Sequence, residues 1–196
     1  MLVELNSNPS ARHFIDQKNW VDAEGIQVSF TIGHDGTNIY LNYEVEEPQV
    51  RAVNTEFNSS VWEDSCVEFF FAPKGDYYYN FEMNAIGTLL CGYGKDRHTR
   101  ERLNDKILSK VHTRSSLGRD AFEKTGKIRS WKLEARIPVE VLIYSEIEIL
   151  SGLEARGNFY KCGDKLDHPH YLSWKPVQTA DPNFHLPEHF GQLSFQ

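Results

Sequence analysis

Apolar and polar residues alternate in short segments along this chain, and turn-forming residues separate the segments. Because a strand sends successive side chains to opposite faces, this period of two predicts strands that bury one face. The segments with this pattern are Ile26–Ile32, Ile39–Val45, Cys66–Phe71, Tyr77–Asn84, Gly87–Gly94, 107–112, 127–138, 159–161 and 192–195. Two packed antiparallel sheets bury so many amphipathic strands most simply, so the pattern predicts an all-β sandwich.

Helical patterns are rare in the sequence. Pro138 favours one short helix over 139–143, because proline is tolerated at the first helical position. Residues 97–104 are densely charged and lack an apolar stripe, which predicts a solvated loop or a short helix. No repeat, low-complexity tract or linker interrupts the chain. We therefore expect residues 1–196 to form a single antiparallel β-sandwich domain with at most one or two short helices.

The hairpin over residues 66–84 has two faces of opposite chemistry. In its second arm an apolar series alternates with a polar one: Tyr77, Tyr79, Phe81 and Met83 against Tyr78, Asn80, Glu82 and Asn84. Its first arm is almost continuously apolar, as strands buried on both faces are, yet it contains Glu68. A buried carboxylate needs a partner or a ligand. The polar face of this hairpin is therefore a candidate binding surface.

Composition and charge narrow the classes of partner. The chain has 21 Lys and Arg against 28 Asp and Glu, an acidic balance that argues against nucleic-acid binding. No stretch is long and apolar enough to span a bilayer, so no membrane partner is expected. Residues 1–6 lack the basic start and apolar centre of a secretion signal, which predicts a cytoplasmic protein unless a signal was removed before this numbering. We expect a monomer that binds a small neutral or polar molecule.

Cysteine, histidine and acidic residues give only weak indications of a metal. Three cysteines without short paired spacing predict buried free thiols, although one disulfide bridge stays open. A transition-metal site built on the loop histidines has little support, since Pro187 prevents His185 and His189 from lying one helical turn apart. The loop residues that could supply oxygen ligands to a structural calcium ion are Asp64, Asp164, Asp167, Asp181 and Asn183. No other cofactor is predicted.

Sequence motifs of catalysis are largely missing. The chain has no phosphate-binding glycine loop, no Gly-x-Ser-x-Gly motif and no His-Glu-x-x-His pair. A pair of carboxylates is enough for glycoside hydrolysis, so a small glycoside hydrolase using Glu68 and Glu82 is the enzymatic alternative. Carboxylates on strand faces more often meet a basic residue or solvent. We therefore predict a protein that is not an enzyme.

The four tryptophans divide into two pairs. Trp20 and Trp131 are assigned to packing, whereas Trp62 and Trp174 lie among polar, histidine and proline residues. A sugar ring has apolar C–H faces and a rim of hydroxyl groups, so aromatic rings with amides, carboxylates and guanidinium groups around them suit it. Capping of the sandwich core is the alternative role for Trp62 and Trp174.

Several segments resemble the carbohydrate-binding module family 9-like group. They are Val61–Phe70, Tyr79–Glu82, Asn84–Gly87, Asn158–Cys162, Tyr171–Trp174 and 184–191. The resemblance implies a β-sandwich that recognises glycans without cleaving them, at chain ends of plant polysaccharides such as xylan or cellulose. It implies a role in polysaccharide utilisation.

The same resemblance assigns residues to a sugar site. Trp62 and Trp174 would clamp the sugar, Glu68 would be the acidic partner, and the softer assignments are Glu82, Asn84 and Arg156. Related sandwich domains bind haem, so a haem module with Met83 and a histidine as axial ligands is a further alternative. Met83 falls on the apolar side of its strand, which favours a place in the core instead.

Overall fold

The structure is a computed structural model that describes residues 1–196 as sixteen strands with few helical turns. The strands are β1 (Leu2–Leu5), β2 (His13–Phe14), β3 (Gln17–Lys18), β4 (Gln27–His34), β5 (Asn38–Glu46), β6 (Val50–Ala52), β7 (Cys66–Lys74), β8 (Tyr77–Asn84), β9 (Leu89–Gly94), β10 (Glu101–Arg102), β11 (His112–Ser115), β12 (Phe122–Thr125), β13 (Ser130–Pro138), β14 (Glu154–Cys162), β15 (Tyr171–Ser173) and β16 (Gly191–Phe195). The helical elements are the α-helix α1 (Asp105–Leu108) and 3₁₀ turns at Val61–Glu63, Val139–Val141 and Pro187–His189. None of the helical elements has the length and apolar character that crossing a membrane requires.

The strands form two large sheets that share β1. The first sheet has the order β10-β9-β8-β7-β14-β16-β1, with β15 beside β14 and β3 beside β15. The second sheet has the order β1-β4-β5-β13-β11, with β2 beside β4. Strand β1 pairs in parallel with β16 and then with β4, whereas the other pairings are antiparallel. A separate two-stranded sheet joins β6 to β12. The predicted all-β sandwich is confirmed.

The core between the two sheets is a cluster of 37 buried apolar residues. Phe30 of β4 stacks on Phe159 of β14 with ring centroids 3.8 Å apart, so the two sheets pack face to face here. Trp131 and Met83 are both buried in this cluster, as the sequence predicts for the apolar faces of their strands. Met83 therefore packs in the core, whereas the haem alternative would need it as an axial ligand.

A second apolar cluster covers the outer face of the first sheet. It contains 11 buried residues, among them Phe70 and Tyr78 from the strands and Phe184 and Phe190 from the C-terminal segment that crosses over them. The first sheet is thus apolar on both faces, which explains the nearly unbroken apolar run in β7. The polar side chains on this outer face are consequently buried rather than solvated.

Three local predictions have different outcomes. The strand expected over 107–112 is wrong: the Asn104 side chain accepts a hydrogen bond from the Ile107 amide and caps α1 instead, and β11 begins only at His112. The short helix expected over 139–143 is present as the 3₁₀ turn Val139–Val141. The prediction of buried free thiols is confirmed, because all three cysteines are buried and unbridged.

Candidate functional site

A cavity of about 330 Å³ opens on the outer face of the first sheet, where β7, β8 and β14 run side by side. Glu68, Glu82 and Cys162 form its floor, and the surrounding loops supply the walls. A larger cavity of about 700 Å³ lies on the second sheet, and three of its charged groups pair with one another, since Glu44 binds Arg12 at 2.9 Å and Lys132 at 2.6 Å. The smaller cavity holds the unusual chemistry and is the candidate site.

Aromatic residues form one side of the cavity. Trp62, on the 3₁₀ turn before β7, and Trp20 are both half-buried and border it together with Tyr171 and Phe184. The Trp20 indole donates a hydrogen bond to the Thr179 carbonyl at 2.8 Å, and its ring contacts Phe184 at a centroid distance of 5.4 Å. Trp20 has a φ of 62°, which a bulky residue seldom adopts, so the cavity wall includes a strained backbone position. Trp20 packs against the second apolar cluster, as predicted, and it also borders the cavity.

The floor of the cavity contains two carboxyl groups that face each other. Glu68 of β7 and Glu82 of β8 are direct cross-strand partners, and both are buried. Burial raises the pKa of Glu68 well above its usual range, and the neighbouring Glu82 raises it further. Burial also raises the pKa of Glu82, but Arg100, 3.8 Å away, and a 2.6 Å hydrogen bond from Asn80 favour its ionised form. Within the pair, Glu82 is therefore the carboxyl group that ionises first.

Asp164 supplies a third carboxyl group at the rim. It follows β14, and its backbone amide donates to the Trp62 carbonyl at 3.2 Å, which ties the two sides of the cavity together. Burial, with Glu63 nearby, raises the pKa of Asp164 to about 6, while a hydrogen bond from Tyr171 opposes this shift. The rim thus contains a carboxyl group that changes charge close to neutral pH.

Arg100 is a residue of the site that the sequence analysis missed. Its segment crosses the outer face of β9 at Gly92 and Gly94, where a Cβ on Gly94 would lie 2.6 Å from the Arg100 Cα. The Arg100 side chain is only 11% exposed and contacts the ring of His185. The prediction of a solvated segment over 97–104 is therefore wrong for Arg100, and the paired glycines in β9 are the signal that could have indicated a crossing chain.

His185 completes the wall opposite the carboxyl groups. Its Nδ1 lies 2.9 Å from the Tyr78 hydroxyl. Burial and the neighbouring Arg100 lower the pKa of His185 well below its usual value, so the imidazole is neutral. The cavity therefore presents both donors and acceptors at fixed positions.

Three of the predicted site residues lie at this cavity and three do not. Trp62, Glu68 and Glu82 border it. Trp174 instead packs edge-on against Phe159 of the core at a centroid distance of 5.8 Å. Its outer side is covered by the Lys175 ammonium group, 4.3 Å from the ring centroid. The indoles of Trp62 and Trp174 thus do not border one cavity, and Trp20 occupies the place on the cavity wall instead.

Asn84 and Arg156 are engaged by other protein groups. The Asn84 amide donates to Asp64 at 2.9 Å and to the Asn54 carbonyl at 2.8 Å. Arg156 pairs with Asp76 at 2.7 Å and lies six residues along β14 from Cys162, a separation of about 20 Å in a strand. Both side chains therefore make contacts within the fold and do not border the cavity.

The acidic residues proposed for calcium are dispersed. Asp64 is fully buried and accepts hydrogen bonds from Arg51, Val53, Asn54 and Asn84. Asp167 is exposed and pairs with Lys124 and Gln49. Only one group of three or more metal-ligating side chains converges in the structure, and it consists of Cys66, Glu68 and Cys162. Structural calcium stays a prediction without a converged ligand set.

Comparison with known proteins agrees with this architecture. A crystal structure from Bacteroides uniformis ATCC 8492, to which carbohydrate binding has been attributed, is 39% identical, with a TM-score of 0.92, covering 100% of this chain and 98% of that chain. A carbohydrate binding module family 9 from Caldicellulosiruptor kristjanssonii shares the fold. Its complex with glucose has 13% identity and a TM-score of 0.62, covering 100% of this chain and 95% of that chain. Its complex with cellotriose has 14% identity and a TM-score of 0.63, covering 100% of this chain and 93% of that chain.

No curated protein matches the chain. The family profile described as carbohydrate-binding family 9 matches residues 3–195, which is nearly the whole sequence. The resemblance seen in the sequence segments is therefore confirmed, and with it the sandwich fold. The chain belongs to carbohydrate-binding family 9.

Proposed function

We propose that the chain binds a neutral sugar in the cavity bordered by Trp20 and Trp62 and does not cleave it. The observation that carries this proposal is the meeting of two indoles with Glu68, Glu82 and Arg100 in one cavity of about 330 Å³. This volume lies at the lower end of the range for small-molecule sites, about 300 to 1,000 Å³, which favours one or two sugar rings. The glucose and cellotriose complexes of the Caldicellulosiruptor module support glucose-based ligands.

The polar groups on the floor are complementary to hydroxyl groups. A hydroxyl both donates and accepts a hydrogen bond. The carboxyl group of Glu68, whose pKa is raised by burial, can donate to it, while a carboxyl oxygen of Glu82 beside Arg100 can accept from it. The indoles would cover the apolar face of the ring and exclude water from these bonds. These contacts would bind the hydroxyl groups of the sugar without cleaving its glycosidic bond.

Isothermal titration tests the ligand class. We expect glucose or cellobiose to bind with a single site, and xylose, xylobiose and galactose define the selectivity. Each sugar is titrated beside its reduced alditol, since loss of binding on reduction identifies recognition of a reducing chain end. Chromatography of the mixtures afterwards tests the hydrolase alternative. Detection of cleaved oligosaccharide would contradict non-catalytic binding and would support Glu68 and Glu82 as the catalytic carboxyl groups.

Substitution of the tryptophans tests the site itself. Trp62→Ala and Trp20→Ala should each weaken sugar binding by about 10- to 100-fold, because each removes an aromatic face worth about 1.5 to 3 kcal/mol. Trp174→Phe is the matched control, since it keeps an aromatic ring against Phe159 outside the cavity. Unchanged affinity in Trp62→Ala together with lost affinity in folded Trp174→Phe would instead support the clamp implied by the sequence resemblance.

A further inference from the structure

Two thiols and a carboxyl group converge beneath the cavity floor. Cys66 of β7 and Cys162 of β14 are direct cross-strand partners, and Glu68 follows two residues after Cys66 on the same face. One ligand atom from each of the three residues lies within 4.8 Å of the others. The Cys162 Sγ is 3.1 Å from a carboxyl oxygen of Glu68. The three ligating atoms therefore already form a compact triangle.

This triangle has nearly the dimensions of a tetrahedral metal site. Zn–S bonds of about 2.3 Å and Zn–O bonds of about 2.0 to 2.2 Å place neighbouring ligand atoms about 3.5 to 3.8 Å apart. The three side chains are buried on adjacent central strands, so their backbone positions are fixed by the sheet. Because the ligand atoms lie within 4.8 Å of one another, side-chain rotations that bring them closer by up to about 1 Å would give the bound arrangement.

We propose that Cys66, Cys162 and Glu68 bind one divalent cation of the thiolate-preferring class, represented by Zn²⁺. Two sulfur ligands select such a cation over calcium or magnesium, which prefer oxygen. Cys162 and Glu68 border the cavity, whereas Cys66 lies deeper, so an entry path leads to the triangle. Three protein ligands leave the fourth position of a tetrahedral ion facing the cavity, where water or a ligand hydroxyl completes it.

Metal binding at this site must displace protons. Burial raises the pKa of Cys66 to about 12 and the pKa of Glu68 well above its usual range, and a hydrogen bond with Cys66 together with burial does the same to the pKa of Cys162. A bound ion therefore has to displace protons from both thiols and from the carboxyl group. Glu82 is a further carboxyl group beside the site. The metal site shares Glu68 with the proposed sugar site, but its ligand atoms and entry path are the same with an empty cavity, so metal binding can be measured without sugar.

Cobalt titration of the fully reduced protein tests the site. Co²⁺ should add at one equivalent and produce thiolate-to-cobalt charge-transfer absorption, and Zn²⁺ should then displace it. Cys66→Ser and Cys162→Ser should each remove the charge-transfer band and weaken binding by at least about 100-fold, since loss of even an outer-shell partner costs about 10- to 100-fold. Cys91→Ser is the matched control, because Cys91 is equally buried but lies in the core between the sheets. It should bind cobalt like the wild type.

Alkylation provides a second measurement that does not require the variants to fold. In urea below the unfolding midpoint, where transient opening exposes the buried thiols, Zn²⁺ should slow the alkylation of two of the three thiols, and peptide mapping should identify them as Cys66 and Cys162. Absence of a charge-transfer band, protection of Cys91 instead, or equal binding by folded Cys66→Ser would each overturn the proposal. Sugar titrations with metal-free and zinc-loaded protein are read separately, so a failed sugar site and a failed metal site are distinguishable.

Discussion

A buried charged cluster lies at one end of the sandwich. The Lys161 side chain is fully buried, and its ammonium group binds Glu47 at 2.9 Å and the Nε2 of His170 at 2.7 Å. Trp131 donates to the other oxygen of Glu47 at 2.6 Å. Burial, with the Lys161 charge beside it, lowers the pKa of His170 to about 2. His170 is therefore the neutral acceptor that completes the environment of a buried ammonium group.

This arrangement predicts that acid destabilises the fold through His170. Below its ordinary pKa of 6.5 the histidine gains a proton when the chain unfolds but not while it is folded. Stability is therefore lost as pH falls, by at most about 1.4 kcal/mol per pH unit for one histidine. Urea unfolding from pH 7 to about pH 4 measures how the free energy of unfolding changes with pH. The slope should be flatter in His170→Gln than in the wild type by up to this amount.

Glutamine keeps an acceptor for Lys161 but does not titrate, so His170→Gln isolates the protonation step. The other buried groups, including His185, contribute equally to both proteins and cancel in the difference. His112→Gln, at an exposed position of β11, controls for the general removal of an imidazole. Identical slopes for wild type and His170→Gln would contradict the assignment.

For single residues, the sequence predicts a position only where that position follows from the alternation of side chains along a strand. Glu68 and Glu82 could be placed on one face because β7 and β8 alternate regularly, and their neighbourhood follows from the hairpin. Trp20 and Arg100 could not be placed, because their contacts depend on where loops from distant parts of the chain cross the sheet. Local pattern contains no information about such crossings.

The outer edge of the first sheet depends on two glycines in β9. Gly92 and Gly94 leave room for the segment that leads through Arg100 into β10. A Cβ on Gly94 would meet backbone atoms of Arg100, at 2.6 Å from Cα and 3.0 Å from the amide nitrogen. Because backbone cannot rotate away as a side chain can, the crossing segment would have to move.

Gly94→Ala should therefore displace Arg100 from Glu82 and weaken sugar binding by about tenfold, which corresponds to about 1.4 kcal/mol. Overpacking of this kind should also lower the free energy of unfolding by about 1 to 3 kcal/mol. Gly126→Ala is the control, since its nearest contact would be an ordinary 3.6 Å from the Pro48 carbonyl. Isothermal titration and urea unfolding measure both effects, and equal behaviour of the two variants would refute this role of Gly94.

Elements were predictable where apolar positions recur with a period of two. Strands β4, β5, β8 and β13 were found because one face of each packs into the core. The α1 turn was missed because its formation depends on one cap, Asn104, rather than on a repeating apolar pattern. A four-residue helix is too short for periodicity to distinguish from a strand.

At the scale of the molecule, the sequence predicts the sandwich but not the additional layer on its outer face. The C-terminal segment lies over the first sheet and places Phe184 and Phe190 against Phe70 and Tyr78. A loop of this length has no periodic pattern, so the wall of the cavity that it forms could not be located in advance.

Strand β1 gives the molecule a particular response to mechanical load. It runs parallel to β16, and the amide of Gln196 donates to the carbonyl of Val3 while the amino group of Met1 donates to Gln192. A stretching force applied through residues 1 and 196 pulls these two strands past each other lengthwise. Their hydrogen bonds are then loaded in shear, so they must break together instead of opening one at a time.

Single-molecule force spectroscopy through these two residues should consequently show one rupture at high force. Early low-force peeling of β1 would show that the strand is not coupled to the sandwich. The same pairing joins both sheets, because the second half of β1 pairs with β4. A force applied at residues 1 and 196 would therefore be shared by both sheets. It would reach the cavity only after the pairing between β1 and β16 had broken.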